Sequence, residues 1–366
     1  MHPRTLFHWA GALLAMAAAT CSSGAESPAP RHHRDRGFQN NYIDLAPPGL
    51  MKLLRWRWEA ARDGLPRPPQ TATPVVAPEL DFLHSNAAAG AAMQPSATWI
   101  GHATVLVQMG GLNVLTDPIF SERASPFNWA GPQRAQPPGL ALAQLPHINV
   151  VLVSHNHYDH CDLPSLRALN SQAGGPPLFV VPLGLKAWLA NSGIHNAVEL
   201  YWWQTHTLAG VDIVLAPVQH WSARGITDRM ATLWGAYALF APDFHMFFAG
   251  DTGYSKDFQD IRTRFVERQK DRGFDLALLP LGSYEPRWFM TEQHVNPEEA
   301  VRIHQDLHAR RSLGVHWGTF ELTDEALDEP PRALLLALRK LQVPAADFTV
   351  TPIGQTLRLT RRSGGQ

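Results

Sequence analysis

Cysteine is nearly absent from this chain: Cys21 and Cys161 are the only two in 366 residues. Cys21 lies in a segment expected to be removed or lipidated, so Cys161 has no partner and no disulfide is expected to hold the fold. Cys161 itself, beside His160, reads as a small buried hydrophobe rather than a ligand. Net charge is nearly absent too. The 31 Lys and Arg are balanced by 32 Asp and Glu, for a formal charge of −1, and there is no Lys/Arg-rich extension. That balance argues against nucleic acid or another polyanion as partner. No apolar run is long enough to span a bilayer permanently, and no short-period repeat is visible. What remains is an ordinary globular composition, 45% hydrophobic and 17% charged. The length suits one large α/β domain with extensions, or two average domains.

The first 25 residues read as an export signal. Arg4 gives a small positive region, Ala10 to Ala19 is apolar apart from Gly11, and Ser23-Gly24-Ala25 offers a cleavage site. Ala18-Ala19-Thr20-Cys21 is the alternative, a lipobox with Cys21 lipidated, although Thr fits poorly there. The expected location is the periplasm or the outer membrane. Residues 26–47, rich in Pro, Arg and His, read as a linker. Residues 48–94 hold an amphipathic helix and a Pro-rich connection, and 95–366 a catalytic domain. On the helix, Lys52, Arg55, Glu59 and Arg62 share one face while Leu50, Leu53, Leu54, Trp58 and Ala61 share the other. Such a helix lies in a membrane interface or packs on the catalytic domain, and the sequence leaves both open.

Strand patterns begin at Thr98. A β-rich run to Met109 is followed by a turn at Gly110-Gly111 and a return through Leu112 to Thr116, ended by Asp117-Pro118. Ile148 to Val153 then reads as a buried strand, and it feeds Ser154-His155-Asn156-His157-Tyr158-Asp159-His160. His155 and His157, two apart in extended chain, can point the same way, and Asp159 and His160 can face a second ion. Three imidazoles and a carboxylate in six residues suit Zn²⁺, which takes N and O donors. Further strands are expected at Leu178–Val181, Val211–Pro217, Thr232–Phe240, His245–Ala249, Asp275–Leu281 and Ser312–Val315. Helices are expected at Leu163–Leu169, Leu183–Asn191, Tyr254–Gln269 and Pro297–Ala309. Three further candidate ligands stand at strand ends: His220, Asp251 and His316. Strands and helices alternate in two halves, which fits two sheets with helices outside.

H-x-H-x-D-H followed by a later His, a Gly-Asp and a final His resembles the metallo-β-lactamase fold superfamily. The likeness extends through Thr98 to Thr104, Leu115 to Phe120, Leu233-Trp234-Gly235, Phe248 to Tyr254, Tyr284 to Phe289 and His316 to Phe320. In those stretches the chain resembles the N-acyl-phosphatidylethanolamine-hydrolysing phospholipase D family, from about Thr98 to the C-terminus. The resemblance implies a four-layer αββα sandwich, a dinuclear zinc site with two zinc ions per chain, membrane association and a phospholipid substrate. It implies that His155, His157 and His220 bind one zinc, Asp159, His160 and His316 the other, and that Asp251 bridges them. Two zincs about 3.5 Å apart hold a hydroxide able to attack phosphorus in line. Asp159, Asp251 and His294 are then the expected catalytic residues.

The remaining assignments are open between two roles. Arg224, four after His220, either forks a phosphate oxygen or is a surface Arg. Tyr158 lines the cleft or packs beneath it. Gln293 and His294 precede the late helix; His294 meets the leaving group or headgroup, or is a satisfied core histidine. His102 is expected to be structural. The expected activity is hydrolysis of N-acyl phosphatidylethanolamine to N-acylethanolamine and phosphatidic acid. The rivals are another hydrolase on the same fold, acting on a lactone, an ester or a different phosphodiester, and a metal-stabilised binding protein at a membrane. Expected partners are the phospholipid and a membrane surface, no nucleic acid, with a homodimer left open as the assembly.

Overall fold

Alternate side chains of the first sheet's strands go to two different cores, and that alternation sets the layers. In the first sheet Ala97, Trp99, Val105, Val107, Val114, Val150, Leu152 and Val180 join Ile213, Leu215, Ala238, Phe240 and Leu278 of the second sheet in one cluster. The residues between them, Leu106, Leu115, Val151, Phe179 and Val181, pack instead on Leu83, Leu166, Leu169, Leu185 and Leu189 of outer helices. Strands buried on both faces need near-continuous apolar sequence, which the runs supply. The computed structural model describes residues 32–34, 36–45 and 49–362. The expected export signal and Cys21 lie outside the described residues.

The first sheet contains β1 (Ser96–Gly101), β2 (Thr104–Met109), β3 (Leu112–Thr116), β4 (Val150–Leu152), β5 (Leu178–Pro182) and β6 (Ala197–Leu200). The second contains β7 (Thr205–Leu208), β8 (Val211–Ala216), β9 (Ala236–Ala241), β10 (Phe244–Phe248), β11 (Leu276–Pro280), β12 (Ser312–Val315) and β13 (Phe348–Thr349); β14 (Thr356–Arg358) returns to the first. The orders are β14-β1-β2-β3-β4-β5-β6 and β13-β12-β11-β10-β9-β8-β7. Helices α1 (Leu50–Asp63), α2 (Leu80–Ala87), α3 (Leu163–Asn170) and α4 (Leu185–Asn191) precede α5 (Asp257–Phe265), α6 (Arg287–Met290), α7 (Pro297–Asp306) and α8 (Glu329–Lys340). This is the expected sandwich of two sheets between helices.

Strand direction puts the candidate residues on one edge. β1 and β2, and β2 and β3, pair antiparallel while β3 and β4 pair parallel, so β1, β3 and β4 run the same way. β8, β10, β11 and β12 likewise share a direction, through two antiparallel and two parallel pairings. The chain therefore leaves β1 at His102, β3 at Asp117, β4 at His155, β8 near His220, β10 at Asp251 and β12 at His316.

Several expectations need correction. The run from Thr98 to Met109 is broken at His102, whose φ of 52° makes a tight turn between β1 and β2. β9 starts at Ala236 rather than Thr232, because the Leu233 and Gly235 amides bond the Leu183 and Ser154 carbonyls instead of a ladder partner. The segment read as a linker is packed over 36–45, where Phe38, Asn40 and Leu45 are buried. α1 docks by the edge between its two expected faces: Trp56 and Ala60 are buried with Met290, against the half-buried Phe289. Its Leu50, Leu54 and Trp58 stay exposed. No helix among the described residues is long and apolar enough to cross a membrane.

Candidate metal centre

The loop after β4 is held from below before it presents any ligand. Asp117, at the end of β3, accepts the Ser154 amide at 2.7 Å and the Ser154 hydroxyl at 2.5 Å. Its Oδ2 also pairs with His160 Nδ1 at 2.6 Å. Tyr237 OH bonds the Val153 and Val180 carbonyls, tying β9 to the end of β4 and the middle of β5. With Nδ1 engaged, His160 must turn Nε2 toward the cleft, the arrangement by which a carboxylate orients a ligating imidazole. Ser154 Oγ does the same for His155, 2.9 Å from its Nδ1. The Gln293 carbonyl does so for His220, 2.9 Å from Nδ1.

Two groups of donors result. His155 Nε2 lies 2.8 Å from His157 Nδ1, which is 3.4 Å from His220 Nε2. Asp159 Oδ2 lies 3.2 Å from His160 Nε2 and 3.3 Å from His316 Nε2. Asp251 stands between the groups. Its Oδ2 is 3.0 Å from His160 Nε2 and 3.9 Å from both His155 Nε2 and His220 Nε2, while Oδ1 is 3.2 Å from His316 Nε2. All seven expected ligands converge. Three ring nitrogens aimed at one another, and a buried Asp251 Oδ1 with no hydrogen-bond partner, make a donor set that a cation satisfies and hydrogen bonds alone do not. The residues fit a metal.

The electrostatics agree. Burial holds His157 down to about 3 and His220 to about 4, and His155 well below the ordinary imidazole value. Those rings are neutral, as ligation requires. For His160 and His316 burial also lowers the pKa, but the carboxylates prevail. Asp251, Asp159 and Asp117 push His160 well above its ordinary value, and Asp251 and Asp159 raise His316 to about 9. A divalent cation among these carboxylates would take over the role of that proton.

His102 is where the sequence reading needs enlarging. The turn at the end of β1 places its Nε2 2.9 Å from Asp159 Oδ2, so the ring holds a carboxylate of the site. Asp117, read only as a strand terminator, is another residue whose part in the site the sequence did not show. Arg224 does not reach the cleft as expected. Its Nη1 donates to the Asn156 and Cys161 carbonyls at 2.9 Å each, and its guanidinium carbon lies 4.0 Å from the Tyr158 ring centroid and 4.7 Å from that of Trp188. It braces the metal loop from outside. Arg229 is the cation that lines the cleft.

The cleft above the ligands has a volume of about 380 Å³. His157, Asp159 and Asp251 form its floor, with Tyr158, Gln293 and His294 beside them. Leu53 and Trp56 of α1, Trp221, Phe289, Met290 and Leu322 make the walls apolar. The Gln293 side chain is committed, accepting Trp221 Nε1 at 2.7 Å and donating to the Phe289 carbonyl at 3.1 Å. His294 Nδ1 is buried without a hydrogen-bond partner, 3.9 Å from Asp251 Oδ2.

Comparison with known proteins follows the same lines. A family model described as the beta-lactamase superfamily domain matches residues 112–317. N-acyl-phosphatidylethanolamine-hydrolyzing phospholipase D 1 of Caenorhabditis elegans is 40% identical over 245 residues, 64% of this chain and 67% of that protein. An uncharacterized protein of Mycobacterium tuberculosis is 37% identical over 360 residues, 94% of this chain and 90% of its own length. Among solved structures, a metallo hydrolase from Ignicoccus hospitalis superposes with a TM-score of 0.54 at 17% identity, over 73% of this chain and 99% of that one.

Proposed function

The chain belongs to the beta-lactamase superfamily, and on that premise we propose that it is a dizinc phosphodiesterase hydrolysing N-acyl phosphatidylethanolamine to N-acylethanolamine and phosphatidic acid. That it is a metal-dependent hydrolase follows from its relatives and its ligand cluster. The finer reading is carried by one observation: two donor groups bridged by Asp251 lie on the floor of a cleft whose walls are apolar. Zinc, when bound, supplies Lewis acidity toward phosphoryl oxygens and acidifies water for attack on phosphorus. The protein's own residues do the rest. Arg229 lines the cleft and adds a positive charge to its wall, and the apolar walls take acyl chain. Burial holds His294 well below the ordinary imidazole value, so its ring is neutral. Its Nδ1, unpartnered beside Asp251, is placed to hydrogen-bond the attacking water or the leaving oxygen, and the proton that water gives up passes to that oxygen. Water then adds across the P–O bond, the alcohol leaves protonated and the phosphate stays with the diacylglycerol.

The same proposal includes docking at a lipid surface. Each of four elements that line the cleft carries a large apolar side chain in water nearby: Trp58 on α1, Trp129 in the loop of Ala124, Ile226 in the loop of Arg229, and Trp288 on α6. Trp129 is 75% exposed and Ile226 88%, so both are open to a lipid surface. Lys52, Arg55, Arg57 and Arg62 on α1 would meet anionic headgroups.

The test is mass spectrometry of products from zinc-loaded enzyme and N-acyl phosphatidylethanolamine in mixed micelles. N-acylethanolamine together with phosphatidic acid is expected. Released fatty acid without phosphatidic acid would replace this reading with an esterase.

A further inference from the structure

His220 belongs to no strand. β8 ends at Ala216, and the strand-type pairing beyond it, among the described residues, is an isolated bridge between Gln219 and Gly253. A metal ligand four residues past its strand needs another means of fixing its backbone. That means comes from the segment before α1. Asn40 Nδ2 donates to the His220 carbonyl at 3.0 Å, and Asn40 Oδ1 accepts the His220 amide at 2.9 Å. One side-chain amide thus satisfies both backbone groups of the ligand, as a neighbouring strand would. Asn40 and His220 are both buried, so water does not readily replace the pair.

The segment carrying Asn40 is itself anchored on both sides. Before it, the Phe38 amide donates to the Met230 carbonyl at 2.9 Å and the Phe38 ring is buried. After it, Asn41 Nδ2 donates to Asp257 Oδ1 at 2.7 Å, and Tyr42 OH bonds Asp260, both carboxylates of α5. We propose that residues 36–45 are a strap whose purpose at Asn40 is to position His220, making Asn40 a positioning residue for the metal ion held by His155, His157 and His220. Gln293 fixes the ring of His220 through Nδ1, and Asn40 fixes the backbone from which the ring projects. Neither suffices alone, because a hydrogen bond to Nδ1 leaves the Cα free to shift.

The physical consequence is selective. Removing Asn40 leaves a buried amide and a buried carbonyl without partners, and the cheapest relief is movement of His220 toward water. Only one of the two donor groups contains His220. Loss of a residue that orients a ligand lowers metal affinity roughly 10- to 100-fold. The proposal rests on the metal reading of the site and not on the lipid substrate.

The experiment is zinc competition against a chromophoric chelator, with wild type, Asn40→Ala, Asn40→Asp and Asn41→Ala, alongside thermal melts and hydrogen exchange of peptides covering 217–222. In Asn40→Ala one zinc equivalent is expected to weaken roughly 10- to 100-fold while the other keeps wild-type affinity, and the His220 peptide should exchange faster. Asn40→Asp keeps the acceptor for the amide and loses the donor, so it should fall between. Asn41→Ala loosens the strap at α5 without touching His220 and should leave both equivalents unchanged. Wild-type affinity for both equivalents in Asn40→Ala would overturn the proposal. Equal weakening of both, tracking the melting temperature, would overturn it too by showing a general folding role. A wild-type chain holding no zinc would sink this inference and the metal reading together, whereas failure of the lipid assay alone would leave it standing.

Discussion

Replacing Asp117 by asparagine keeps the shape of a buried side chain and takes away one acceptor. In the native arrangement Oδ1 accepts the Ser154 amide, while Oδ2 accepts from both the Ser154 hydroxyl and His160 Nδ1. Asparagine can be seated in two ways. With its oxygen on the Ser154 amide, its NH₂ faces His160 Nδ1 and donates to it, so the ring proton moves to Nε2. Nε2 is the atom 3.0 Å from Asp251 and 3.2 Å from Asp159, where a cation would otherwise bind. With the amide flipped, NH₂ meets the Ser154 N–H donor to donor at about the 2.7 Å now spanned by a hydrogen bond. Each seat loses something the carboxylate supplied. Outer partners of ligating histidines are worth roughly 10- to 100-fold in metal affinity, about 1.4–2.8 kcal/mol. Chelator competition should therefore show the zinc of the Asp159, His160 and His316 group weakened by that factor, and kcat/KM at limiting zinc should fall with it and recover in part when zinc is added. Unchanged affinity for both equivalents, in a variant that melts like wild type, would refute the tautomer argument.

Three further outcomes are expected. Asp251→Asn should lower metal content and activity together, since an amide bridges two cations poorly; elemental analysis finding full occupancy at a normal rate would remove Asp251 from the bridge. Leu54→Asp with Trp58→Asp, at positions 52% and 62% exposed, should weaken sedimentation with anionic vesicles and slow hydrolysis of vesicle lipid, with the melting temperature and hydrolysis of a soluble phosphodiester unchanged. A joint fall of all four would show that this face of α1 is part of the folded core. Trp56→Ala is the opposite case. It empties a buried site beside Phe289 and strands Asp324, which accepts Trp56 Nε1 at 2.9 Å. Buried Trp→Ala changes cost roughly 3–5 kcal/mol, so limited proteolysis should cut α1 far faster than in wild type, and equal cutting would refute its docking.

How far the sequence carried the site depended on how local each signal was. The loop from His155 to His160 was legible because its ligands are nearly contiguous and directly follow an apolar run that can only be a buried strand. His220, Asp251 and His316 were legible more weakly, each as a polar residue closing such a run. Strand ends collect on one edge only when strand directions agree, and direction is not written in a run of Val and Leu. His102 shows the limit. The stretch around it reads as one continuous strand, and the left-handed turn that aims its ring at Asp159 exists because β1 and β2 pair across it. Arg224 shows another. Its distance from His220 along the chain suggested a shared pocket, but two aromatic rings and two backbone carbonyls hold it behind the metal loop.

The elements that went unread share a physical reason. β6 and β7 are short and mix polar with apolar residues, and β7 is a sheet edge with Thr205 and Thr207 exposed. α8 opens on Pro330-Pro331, which reads as a breaker, yet proline costs nothing in a first turn where its missing N–H has no partner to lose. Asn40 is the extreme case. Its place in a polar, Pro-rich stretch gives every local sign of a linker, and its partner is 180 residues away. Chemistry at a strand end can be guessed from the strand. The residue that holds the strand end still cannot, because what selects it is a pair of unsatisfied backbone groups that appear only after the sheets have closed.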